Sequence, residues 1–181
     1  MILLLLFSLD LKGEAIPANS LSVYNGFLTP KDVSEMVSTP PSFKKEYFAA
    51  AGFMRRLFLL SESISVEGEG QAVFHYGSQY FKEYVIAPYV RYTNIVDNKF
   101  AITGAIGDGI SYTEKILNHE HRRDRKSTRY INYLGIEATF GTVNCPLSLV
   151  IRLHHRSSAY GLIMNGNTDS NFICLGIRYA F

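Results

Sequence analysis

The stretch LSLVIRLHHRSSAYGLI, residues 147–163, decides how the rest of the chain is read. Its odd positions are Leu147, Leu149, Ile151, Leu153, His155, Ser157, Ala159 and Gly161, and its even positions run Ser148, Val150, Arg152, His154, Arg156, Ser158, Tyr160 and Leu162. A β-strand sends alternate side chains to opposite faces, so this is an apolar face backed by a largely polar one. His155 and Ser157 break the pattern, because they share the apolar face at i and i+2. If that face meets lipid, the pair lies at the water boundary or is chemistry aimed at lipid.

The closing run, residues 170–181, alternates in the same way. Asn171, Ile173, Leu175, Ile177, Tyr179 and Phe181 share one face, and Phe172, Cys174, Gly176, Arg178 and Ala180 the other. A terminal aromatic preceded by apolar residues at steps of two resembles the C-terminal signature of bacterial outer-membrane barrels. The alternative is a soluble antiparallel domain whose last strand ends the chain.

Composition bounds the answer. The 181 residues leave room for one domain; charged residues are sparse at 19%, and aromatics are rich at 13%, with 12 Tyr and 12 Phe and no Trp. A mean hydropathy of +0.03 is too low for a bundle of membrane helices. It suits a barrel, where only every second residue of a strand faces lipid. A net charge of +2 argues for no particular partner, and no nucleic-acid partner is expected.

At the N-terminus an apolar run at residues 2–7 is far shorter than the roughly 20 residues a spanning helix needs. Residues 1–18 read as a secretory signal lacking its basic start, with Ala15 and Ala18 as cleavage points, and residues 19–181 as the mature domain. A buried N-terminal strand or helix is the alternative. Strand-like runs then fall at 21–28, 47–60, 63–75, 81–93, 100–114, 130–142, 147–162 and 171–181, which makes eight. Several exceed the roughly 9–11 residues a tilted membrane strand requires. The polar, proline-containing segment 29–42 reads as a loop. The expected fold is an all-β, eight-stranded antiparallel up-and-down transmembrane β-barrel.

Parity assigns the faces. Glu67, Glu69, Glu83, Arg91, Glu137, Arg152 and Arg178 fall opposite the apolar positions and would fill and pair within an interior just wide enough for side chains. A soluble lipid-binding barrel would invert this arrangement. Short turns would face the periplasm and longer loops the exterior. The loop at 115–129 would then be extracellular, and its Arg122, Arg123 and Arg125 suit lipopolysaccharide phosphates, which guanidinium groups bind bidentately. Cys145 in a turn and Cys174 pointing inward are not expected to form a disulfide, and no cofactor or metal site is expected.

A Ser hydroxyl is a useful nucleophile only with a base in reach and a third group orienting that base. Neighbours at i and i+2 lie about 7 Å apart at Cα, within reach of their side chains. Asp169 precedes the closing strand and shares the parity of Ile173 and Leu175, so His155, Ser157 and Asp169 are expected to converge on the outer wall.

His155-Arg156-Ser157, the acid at 169 and the terminal strand resemble the lipid A 3-O-deacylases (the PagL family) of Gram-negative outer membranes. The stretches NYLGIEATFG and LVIRLHHRSSAYGL also resemble acyloxyacyl-hydrolase-like barrels. The resemblance implies a serine esterase removing an ester-linked acyl chain from lipid A in the outer leaflet. His155 would be the base, Ser157 the nucleophile, and Asp169 stands where that family has Glu. Asn165 matches an Asn near the family's oxyanion site, and Tyr160, Gly161 and Arg156 stand beside the motif at substrate-binding positions. The family's HxSNAG continues here as Ser158-Ala159-Tyr160. A catalytically silent structural or adhesive barrel, and self-association into a homodimer, stay open.

Overall fold

The computed structural model describes residues 17–32, 35, 38, 40, 42–96, 98–123, 128–158 and 169–181; of Arg122 and Arg123 it describes the backbone. Eight strands occur in chain order: β1 (Asn19–Thr29), β2 (Glu46–Leu59), β3 (Ile64–Gly77), β4 (Phe81–Val96), β5 (Phe100–Thr113), β6 (Tyr130–Thr142), β7 (Leu147–Ser157) and β8 (Asp169–Ala180). Each pairs antiparallel with its chain neighbour, and β8 closes on β1 with Ser20 opposite Ala180 and Thr29 opposite Asn171. The sheet is a closed barrel with no free edge.

The faces fall as the alternation requires. Leu149, Ile151, Leu175 and Ile177 are exposed on the outside, as are Ile106, Ile110 and Ile136. Inside, Arg152 is held by Glu69 (2.8 Å) and by Glu137. Arg91 pairs with Glu67 at 2.9 Å and Glu137 at 2.7 Å, and Arg178 reaches Glu137 at 3.0 Å. A charge moved out of water is tolerated only when paired and hydrogen-bonded, and this network meets that demand. An apolar shell around a charged core is the inverse of a water-soluble lipid-binding barrel, and suits a strand-built crossing of a bilayer. No described helix is long and apolar enough to cross a membrane.

Among the described residues, side chains meet across the interior. The Tyr89 and Tyr133 hydroxyls meet at 2.8 Å across it. Gly135 is required there, since a Cβ would stand 1.9 Å from the Tyr89 hydroxyl. Nearer the long-loop end, Leu28, Phe48, Phe81, Leu117 and Phe172 form an apolar plug. Leu117 belongs to segment 115–129, expected to be loop throughout. That segment instead carries a six-residue helix, α1 (Asn118–Arg123); its Glu120 and the Leu117 just before it are buried in the barrel mouth. Two buried anchors outweigh the weak helix propensity of so short a polar run.

Strand β7 ends at Ser157, before the expected 162, and β8 begins at Asp169, two residues earlier than expected. Cys145 is exposed and Cys174 buried, both unbridged. The signal reading of residues 1–18 falls almost wholly outside the described residues.

Candidate functional site

The ladder between β7 and β8 sets the geometry of the site. Register places His155 opposite Asn171 and Ser157 opposite Asp169. Directly opposed residues project to the same face, so all four lie on the outer wall, where Ile151 and Leu175 form the next outward-facing pair but one toward the short-turn end. His155, Ser157 and Asp169 are half-buried and Asn171 is buried.

The structure defines a partner for the His155 ring. Nδ1 lies 2.6 Å from Asn171 Oδ1, and Asn171 Nδ2 donates to the Lys31 carbonyl at 3.0 Å. A carbonyl oxygen only accepts, so the Lys31 contact fixes which way the amide points. Asn171 therefore presents its oxygen to the ring, Nδ1 must carry the proton, and the Nε2 lone pair is left to act as a base. This tautomer is the one a general base needs when its other nitrogen is held by an orienting group. Ser157 follows two residues along the same face, about 7 Å away at Cα.

Asp169, expected to orient His155, stands two ladder pairs beyond it, across from Ser157. Asn171 was not anticipated as a site residue: an amide signals less in a sequence than a carboxylate does, and only the register reveals its partner. A second amide was also missed. Asn132 of β6 lies opposite Ser157 from the other side, and its Nδ2 donates to Asp108 Oδ1 at 2.7 Å and the Gly109 carbonyl at 3.3 Å. The outer wall, apolar below, thus carries a polar band from Asp108 through Asn132, Ser157 and Asp169, with His155 and Asn171 alongside.

Arg156 departs from its expected role. It has the opposite parity, is fully buried, and pairs inside the barrel with Glu120 (3.0 Å) and Glu83 (3.3 Å). It takes no part on the outer face. Glu120 also accepts from Ser170 Oγ at 2.7 Å, so α1 is tied from within to the ends of the two strands that carry the site. Burial raises the Glu120 carboxyl above its ordinary range, against the opposing pull of the Arg156 guanidinium and the Ser170 hydroxyl. Tyr160, Gly161, Asn165 and Arg125, and the side chains of Arg122 and Arg123, lie outside the described residues.

No family model matches the chain, and no curated protein does. Among solved structures, the outer membrane enzyme PagL superposes with a TM-score of 0.61 at 14% identity, over 90% of this chain and 99% of that one. The fold is that of PagL. Neisserial surface protein A (NspA) also matches, with a TM-score of 0.56 and 12% identity over 93% of this chain and 100% of its own. Ail, the attachment invasion locus protein of Yersinia pestis, aligns at 12% identity over 92% of this chain and 100% of that one, with a TM-score of 0.46. At these identities the likeness to PagL and NspA speaks for the shared barrel and not for a shared activity.

Proposed function

We propose that this protein is an outer-membrane serine esterase that removes an ester-linked acyl chain from the lipid A part of lipopolysaccharide. The observation that carries the reading is the Lys31–Asn171–His155 relay on the lipid-facing wall, with Ser157 on the same face. A polar constellation costs free energy on a bilayer-facing surface. Its concentration at one height, near the long-loop end of β5–β8, would bring it to the level of the ester bonds of outer-leaflet lipids.

In this reading Ser157 Oγ attacks the ester carbonyl while His155 Nε2 takes the hydroxyl proton. The tetrahedral intermediate collapses, the bond to the sugar oxygen breaks, and His155 returns the proton to that oxygen. Water, deprotonated by the same nitrogen, then attacks the acyl-serine and releases the fatty acid. Asn171 holds the ring and its tautomer throughout. Asp169, beside Ser157, would assist the imidazolium electrostatically. Tyr160, Gly161 and Asn165 are assigned to substrate and oxyanion by resemblance, and Arg122, Arg123 and Arg125 to lipopolysaccharide phosphates.

A second reading, a catalytically silent barrel with a structural or adhesive role, draws on the similarity to NspA and on an orienting partner of His155 that is an amide. Free fatty acid release by the purified, detergent-folded protein from lipopolysaccharide separates the two. The esterase reading expects release that disappears in Ser157→Ala and His155→Ala; no release from the folded wild type leaves the silent barrel.

A further inference from the structure

Asp108 of β5 is exposed on the outer wall, in step with Ile106 and Ile110, which are exposed on either side of it. Leu134 stands opposite it on β6 and His155 opposite Leu134 on β7, so Asp108 shares the row of His155 at two strand spacings of about 4.8 Å. That row lies one outward position nearer the short-turn end than the row of Asn132 and Ser157. A chain hanging into the bilayer from an ester at Ser157 would run past it. An ionisable side chain among apolar ones on a bilayer-facing surface is costly unless a partner offsets the cost.

The partner within the barrel occupies half of the carboxyl group. Asn132 Nδ2 donates to Asp108 Oδ1 at 2.7 Å and to the Gly109 carbonyl at 3.3 Å. Among the described residues Asp108 Oδ2 has no hydrogen-bond donor. Both Nδ2 hydrogens of Asn132 are used, so its amide has an oxygen left to offer. Two acceptor oxygens therefore stand beside Ser157, and acceptors select donors. A ligand with an N–H or O–H close to its ester satisfies them. A glycerophospholipid presents ester oxygens at that level, acceptors again, and would leave the carboxylate stranded. A site built to hydrogen-bond a substrate donor rejects strongly an analogue that lacks it, because its own polar groups are then left unpaired.

We infer that Asp108 is a specificity determinant of the outer wall: its Oδ2 accepts a hydrogen bond from an N–H or O–H that the substrate carries beside the ester under attack, and so admits an acylated amino sugar and turns away glycerophospholipid. The donor is the amide N–H of the sugar or a hydroxyl on the departing chain. The inference rests on the esterase reading for the reaction it serves, but recognition is a matter of binding and is tested without turnover.

The detergent-folded Ser157→Ala protein is offered lipid A and phosphatidylcholine, which has no N–H or O–H, in equal amounts, and bound lipid is counted by native mass spectrometry. Lipid A should be preferred. Asp108→Leu in the same background, where leucine suits the apolar wall, should lower that preference about ten- to a hundredfold, the worth of one hydrogen bond to a charged group. A synthetic glucosamine with an amide-linked chain and an ester-linked hydroxylated chain locates the donor. Replacing its amide by an ester, or its chain hydroxyl by hydrogen, should weaken binding by a similar factor in one case, and in neither case once Asp108→Leu is present. With Ser157 intact, Asp108→Leu should lose turnover on lipopolysaccharide and gain it on phosphatidylcholine. Absence of turnover on any lipid would sink the esterase reading and leave the binding preference to decide this inference by itself. No lipid A retained, an equal preference with and without Asp108, or a cost of the ligand changes that persists in Asp108→Leu would overturn it.

Discussion

Replacing Asn171 by Ala tests the role given to the His155 relay. The substitution removes the acceptor 2.6 Å from Nδ1 together with the anchor to the Lys31 carbonyl. What is lost is one hydrogen bond that selects a tautomer, worth about 1–3 kcal/mol. At about 1.4 kcal/mol per tenfold, the turnover on lipopolysaccharide should fall roughly 5- to 150-fold. KM should change little, since Asn171 is buried behind the ring. Asn171→Asp is the informative companion. It restores an acceptor for Nδ1 and adds a charge that favours the imidazolium, but it loses the donor to Lys31, so activity should recover above Asn171→Ala. Initial rates of fatty acid release would be compared at matched folded fractions, read from heat-modifiable gel mobility. Wild-type turnover in folded Asn171→Ala would refute the relay, as would an equal loss in both variants.

Further predictions concern the acid beside the serine, the core and the helix in the mouth. Asp169→Asn should reduce turnover, while Asp169→Glu should match or exceed the wild type, because one more methylene lets the carboxylate reach diagonally from its place opposite Ser157 toward His155; rates from the same assay decide. Arg152→Ala strands the buried Glu69 carboxylate, while Glu137 keeps Arg91 and Arg178, and should cost about 3–5 kcal/mol in urea unfolding from detergent. Glu120, raised above its ordinary 4.5, binds its proton more tightly in the docked helix than in the undocked one. Docking of α1 is therefore favoured below 4.5 and loses that contribution as pH rises through the raised value. Hydrogen exchange in α1, corrected for intrinsic rates, should quicken across that window in the wild type and stay flat in Glu120→Gln.

The fold was open to reading because a barrel wall obeys a period of two. The alternation at Leu149, Ile151, Leu175 and Ile177, set against Arg152 and Arg178, assigns lipid and interior without reference to contacts. The seven charged residues expected inside are there, since a barrel of eight strands has no other dry place to pair them. The site was legible in part. His155 and Ser157 announce themselves as polar residues of the wrong parity, but the identity of the orienting group depends on register. Register is fixed by where β8 begins, and its start at Asp169 brings Asn171 level with His155. Asn132 and Asp108 escaped for the same reason, as neighbours across strands far apart in sequence. Helix α1 left no periodic signal; one leucine and one glutamate, both held by the barrel mouth, give it its place.

The most direct test of the central claim is the mass spectrum of lipid A from a Gram-negative host that lacks such an activity, expressing either the wild-type barrel or Ser157→Ala. The account predicts loss of one acyl chain from lipid A with the wild type and an unaltered lipid A with the variant, both proteins being folded in the outer membrane. Unmodified lipid A in cells carrying the folded wild type, or the same deacylation by Ser157→Ala, would contradict it.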